Sequence, residues 1–117
     1  MLKKERCSKP TNFTEIAYLA GVFDGEGSFG IWSKGKKKAP NFRATVEMQD
    51  VDTIMKFMVY FKAGTIMYIK PRKEHFKSLY RWKIDSDKAV KVVREMLPYL
   101  SRRRQSKFQE DLRKLDK

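Results

Sequence analysis

Between Leu19 and Phe29 the chain reads Leu-Ala-Gly-Val-Phe-Asp-Gly-Glu-Gly-Ser-Phe. Two of these residues, Asp24 and Glu26, are acids that could take part in chemistry, and their position is unusual. Ile16, Leu19, Ala20 and Phe23 recur at helical spacing after a capping-type Asn12 with Glu15 three residues on, which predicts a helix over about 13 to 24. Both acids then lie at the C-terminal end of that helix, where the peptide dipole disfavours an anion by roughly 0.3 to 1 kcal/mol. Gly21 sits mid-helix at a cost of about 1 kcal/mol relative to Ala. With Ala17 four residues before it and Gly25 four after, it forms a row of small residues along which another backbone can approach closely. Local rules broken together mark a functional site, and a hard divalent cation would relieve the electrostatic conflict.

The rest of the chain must position this segment. Phe29, Ile31 and Ser33 alternate with Ser28, Gly30, Trp32 and Lys34; after a Lys-rich turn, Phe42, Ala44, Val46 and Met48 alternate with Arg43, Thr45, Glu47 and Gln49. Both runs predict strands of a hairpin with one polar face each. Asp50 or Asp52 can cap a second helix carrying Val51, Ile54, Met55, Met58 and Phe61 inward, with Gly64 ending its connection. Strands follow at about 65–70 and 79–85, the second with Tyr80, Trp82 and Ile84 on one side and Arg81 and Lys83 on the other. A helix from Asp85 or Ser86 through Ala89, Val92, Val93 and Met96 is stopped by Pro98, and a charged helix runs from about Ser101 to Leu115.

The order is αββαββαα, an α+β class in which a four-stranded antiparallel sheet carries helices on one face. The other face is open, and its polar residues read either as a solvated sheet or as a binding surface. Residues 1 to 11 read as a flexible basic arm and 12–117 as a single domain.

Composition narrows the partner. Lys and Arg number 27 against 14 acids, a net charge of +13 and a pI near 10.0, so the surface suits a polyanion. Charge alone also fits a ribosomal-type or merely soluble basic protein. Cys7 is the only cysteine and His75 the only histidine, the latter in a basic stretch that reads as an exposed loop. A disulfide framework, a Cys/His zinc site and histidine-centred nuclease chemistry are disfavoured. No apolar run reaches the roughly 20 residues of a bilayer span and no signal-peptide core is present, so the expectation is a soluble intracellular protein of a bacterial or phage-infected cell or an organelle, with no membrane partner.

The segment resembles the nine-residue signature of the LAGLIDADG homing endonucleases. It matches at Leu19, Ala20, Gly21, Asp24 and Gly27, with Val22 and Phe23 as apolar replacements, Gly25 for Ala and Glu26 for Asp. The resemblance covers about residues 13 to 108. It implies a single-motif, homodimeric enzyme that makes a double-strand break in duplex DNA by metal-dependent phosphodiester hydrolysis, in the service of intron or intein mobility. It places Mg²⁺, or another divalent metal, at Glu26 and Gly25, with no small-molecule cofactor. Two motif helices would meet at the dyad through Ala17, Ala20, Gly21 and Asp24, the last acting at the helix junction rather than in chemistry.

Gln49 falls where the family orders active-site water. After Leu97-Pro98-Tyr99-Leu100, Arg103 takes the place of its active-site lysine, with Arg102, Arg104 and Lys107 near enough to compete. The open face would bind DNA through Ser28, Trp32, Lys34, Lys36, Lys37, Arg43, Thr45, Glu47, Lys70, Arg72, Arg81 and Lys83, a two-stranded ribbon being able to enter a major groove. The alternative on the same fold is a catalytically inactive DNA-binding regulator or an RNA-splicing maturase. A basic RNA-binding module stacking bases on Trp32 and Tyr68 would leave the acid-bearing glycine helix unexplained.

Overall fold

A computed structural model describes residues 13–33, 39–71, 73 and 77–115. The expected basic arm, together with Lys34, Lys36, Lys37 and Arg72, lies outside the described residues.

Helix α1 (Phe13–Glu26) turns its apolar stripe of Ile16, Leu19, Ala20 and Phe23 inward, as the spacing requires. It passes directly into strand β1 (Gly27–Trp32), which pairs antiparallel with β2 (Asn41–Met48). Helix α2 (Val51–Phe61) follows, then β3 (Thr65–Ile69), β4 (Leu79–Asp85), α3 (Ser86–Met96), a 3-10 turn at Leu97–Tyr99 and α4 (Arg102–Lys114). The sheet order is β1-β2-β4-β3, with every neighbouring pair antiparallel. The expected αββαββαα architecture is therefore the observed one, with Glu26 inside the first helix as its last residue.

The core lies between the helices and one sheet face, and two aromatic groups organise it. Phe29 and Phe42 pack edge-on against Phe108 of α4 at 6.0 and 5.7 Å, while Phe23 stacks on Phe29 at 6.2 Å. At the other end Phe57 and Phe61 of α2 stack on Trp82 at 5.1 and 6.0 Å. Trp82 is fully buried, and its indole N–H donates to the Ala63 carbonyl at 3.0 Å. That arrangement leaves no room for a Cβ at Gly64, whose φ is +95° and whose Cβ would stand 2.5 Å from Trp82 Nε1.

The same stacking shifts the expected face of α2: Ile54 is buried and Met58 and Phe61 pack on the core as expected, but Thr53 and Phe57 are buried as well and Met55 is 48% exposed. Helical spacing leaves the edge of the stripe open, and the Phe57 ring that reaches Trp82 turns the helix so that Met55 lies outside. Ile31 also departs from expectation: near the end of β1, beyond the cover of α4, it is exposed although Phe29 on the same side is buried.

Asp50 caps α2, accepting the Asp52 backbone N–H at 3.1 Å and the Thr53 hydroxyl at 2.8 Å. Chiefly through that hydroxyl, its carboxyl is held below the usual value. Asp85 precedes α3 but makes no side-chain cap, because its carboxylate is turned to Arg43 on the open sheet face.

Candidate functional site

The two acids of the glycine-rich helix end have different surroundings. Asp24 Oδ1 accepts the Ser101 backbone N–H at 3.1 Å and lies 3.5 Å from Arg104 Nε, an ion contact rather than a hydrogen bond. Arg104 in turn donates to the Gly27 carbonyl at 2.8 Å and covers the Phe23 ring, with its side chain only 15% exposed. One turn further along α4, Lys107 donates to the Phe29 carbonyl at 2.9 Å and pairs with Asp111 at 2.7 Å. Arg104 and Lys107 thus hold α4 along the outer edge of β1, where backbone carbonyls have no neighbouring strand. The dipole conflict at Asp24 is relieved within the chain by Ser101 and Arg104, which are distant in sequence. The carboxylate of Glu26, one residue before β1, remains exposed.

The outward side of α1 is open at its glycines. Gly21 and Gly25 are exposed and a Cβ built at either meets nothing within 4 Å, while Ala17 is half-buried. Ala20, expected on this side, is instead fully buried in the chain's own core and cannot reach a second helix there. It belongs to the Leu19–Phe23 stripe, about 100° of helix rotation from Gly21. Asp24 is half-buried and committed to α4.

Gly27 closes the segment inward, since a Cβ there would stand 2.4 Å from the Phe23 ring. Gln49, just beyond β2, is exposed, as is Arg103 in the first turn of α4. Of the basic residues near that position, Arg104 and Lys107 are engaged with the backbone of β1 and Arg102 and Arg103 are exposed.

On the open sheet face the structure groups Ser28, Trp32, Arg43, Thr45, Glu47, Arg81 and Lys83 by register. Arg43 lies opposite Asp85, Thr45 opposite Lys83, and Glu47 opposite Arg81. Arg43 Nε donates to Asp85 Oδ1 at 2.6 Å and its guanidinium stacks 3.6 Å from the centre of the Trp32 ring. Arg81 Nε donates to Glu47 at 2.7 Å. The expectation of a face dominated by basic side chains is therefore tempered, because Arg43 and Arg81 are each matched by a carboxylate. Lys70, just past β3, is exposed. Trp32 has one ring face occupied by Arg43, and the exposed Tyr68 hydrogen-bonds Ser78 through its hydroxyl at 2.8 Å. Asp85, the partner that orients Arg43, was missed in the sequence because the contact spans 42 residues.

The donors at the end of α1 are all oxygens: the Glu26 carboxylate and the last carbonyls of the helix. This set suits a hard cation such as Mg²⁺. Among the described residues no three His, Cys, Asp or Glu side chains converge. No helix of the described residues is long and apolar enough to cross a membrane.

A glycine-bearing helix that ends in acids and runs into a hairpin, followed by a second helix and hairpin that complete a four-stranded antiparallel sheet, defines a class, and comparison with known proteins agrees. The family model described as LAGLIDADG endonuclease matches residues 19–115, and the chain belongs to that family. Among solved structures, the fold is similar to the group I intron-encoded homing endonuclease I-CeuI complexed with DNA. There the identity is 17%, the TM-score 0.67, and the match covers 91% of this chain and 56% of that one. The homing endonuclease I-CvuI, in complex with a DNA target in the presence of Mg, gives 16% identity and a TM-score of 0.68 over 91% of this chain and 70% of that one. The archaeal intron-encoded homing endonuclease I-Vdi141I complexed with DNA gives 13%, 0.66, 88% and 67% respectively. This chain thus spans little more than half the length of I-CeuI. No curated protein matches the sequence.

Proposed function

We propose that the protein is a site-specific endonuclease that binds duplex DNA on its open sheet face and cuts both strands as a homodimer, an activity that serves intron or intein mobility. The observation that carries this reading is the pairing of features on α1. Its outward side has no side-chain volume at Gly21 and Gly25, and its terminal Glu26 carboxylate is exposed. Two copies packed along that side bring two Glu26 carboxylates to one axis, where phosphate oxygens add to the donor set. Two strands of opposite polarity then each meet one carboxylate.

In this reading Glu26, with the Gly25 segment behind it, holds a divalent cation, and Mg²⁺ bound there would relieve charge on the phosphate and favour deprotonation of water. The chain's own residues do the rest. Asp24 and Arg104 lock α1, β1 and α4 together so that the Glu26 position is rigid. The exposed amide of Gln49 orders water, and the exposed guanidinium of Arg103 offsets negative charge on the scissile phosphate. Trp32, Arg43, Thr45, Glu47, Arg81 and Lys83 face the groove, with Ser28 and Lys70 beside them.

The test is Glu26→Gln, with cleavage and binding measured side by side on the selected duplex, with and without Mg²⁺. Cleavage should fall by several orders of magnitude while binding persists, because the change removes the charge but keeps the size. Cutting at the wild-type rate would remove Glu26 from the metal site. A wild-type protein that binds one duplex tightly and never cuts it would be a DNA-binding regulator on this fold.

A further inference from the structure

The arginine pairs on the open face define more than an electrostatic surface. Arg43 and Arg81 are held in the same way: each gives its Nε edge to a carboxylate on the neighbouring strand, Asp85 for Arg43 and Glu47 for Arg81. A guanidinium carries five N–H donors, and pairing through Nε and one Nη leaves the terminal fork free. The Arg43 fork is also fixed in its plane by the Trp32 ring 3.6 Å away. Neither group is well placed to be a phosphate anchor, because a carboxylate within 2.7 Å of each repels the same phosphate that the guanidinium attracts. A buttressed, neutralised fork with little entropy left to lose instead suits a directional acceptor pair on an uncharged surface. In a major groove that pair is O6 and N7 of guanine.

Register gives the spacing. Arg81 lies opposite Glu47 and Arg43 opposite Asp85, so the two forks are four residues apart along β2, or about 13 Å at roughly 3.3 Å per residue. Along a groove with a rise of about 3.4 Å per base pair, followed obliquely, this spans roughly three to four base pairs.

Resting on the reading of this face as a duplex-binding surface, we infer that Arg43 and Arg81 are specificity-determining residues, each reading a guanine. The part of the target bound by one chain then carries two G·C pairs roughly three to four base pairs apart. Asp85 and Glu47 are positioning residues that orient the two forks.

The experiment is enrichment of bound sequences from randomised duplex DNA by the full chain without divalent metal, repeated with Arg43→Lys, Arg81→Lys and Asp85→Asn after each variant is shown to melt as wild type does. Lysine keeps the charge and loses the fork. Wild type should enrich two G·C pairs at the stated spacing. Arg43→Lys should lose discrimination at one of them by about ten- to a hundredfold, and Arg81→Lys at the other. Asp85→Asn should weaken discrimination at the position lost in Arg43→Lys. Enriched sites without the paired G·C, or with both pairs retained in the lysine variants, would overturn the assignment while leaving the duplex-binding reading intact. A protein that enriches no duplex overturns that reading as well.

Discussion

Replacing Gly21 by Gln separates the stability of one chain from the assembly of two. Within the chain a Cβ at Gly21 meets nothing within 4 Å, and the position lies inside α1. The substitution therefore gains helix propensity without steric cost, roughly 0.5–1 kcal/mol, or a rise of about 2–4 °C in the melting midpoint of the monomer. Between two chains packed on that side of α1 the same substitution inserts a long side chain where the backbones must nearly touch. Melting over a series of protein concentrations reads both effects. The wild-type midpoint should climb with concentration, as for any unfolding linked to dissociation. The Gly21→Gln midpoint should be flat, higher than wild type at the most dilute end, and accompanied by monomeric sedimentation and loss of cleavage. A variant that sediments as a dimer and cuts normally would place the interface away from this side of α1. A variant destabilised at every concentration would contradict the open space found around Gly21.

The last glycine of the motif behaves oppositely: Gly27→Ala drives a methyl to 2.4 Å from the packed Phe23 ring, so urea unfolding should show a loss of roughly 1–3 kcal/mol. Asp24→Ala strips the Ser101 N–H of its acceptor and Arg104 of its ion contact; a loss of about 1–2 kcal/mol is expected in the same assay, with less for Asp24→Asn, which keeps an acceptor. Asp50 is depressed below its usual value of 3.8, chiefly by the Thr53 hydroxyl. Its stabilising contribution is therefore present above the unfolded pKa and fades as the pH falls through the folded one. The stabilities of wild type and Asp50→Asn, measured from neutral to acid pH, should converge in acid.

Element type and order were legible in the sequence because they rest on short-range patterns. The 3.6-residue period of Ile16, Leu19, Ala20 and Phe23 and the two-residue alternation of Phe42, Ala44 and Val46 each report a buried side without knowledge of what buries it. The glycine-acid segment was legible for a related reason, since its conflict with helix rules is local. Tertiary structure decided what those local patterns left open. Where the edge of the inward stripe of α2 falls depends on Phe57 finding Trp82, and Met55 is left outside as a result.

Ala20 and Gly21 are adjacent in the motif, yet one is core and the other surface, a difference set by how α1 lies on the sheet. Arg104, next in sequence to Arg103, turns to Asp24 and Gly27 because α4 runs back along the uncovered edge of β1. Arg43 and Asp85 become partners only through the register of two strands. Contacts between residues 42 or more positions apart leave no periodic trace in a sequence, so the roles of these side chains emerged only when the chain was folded.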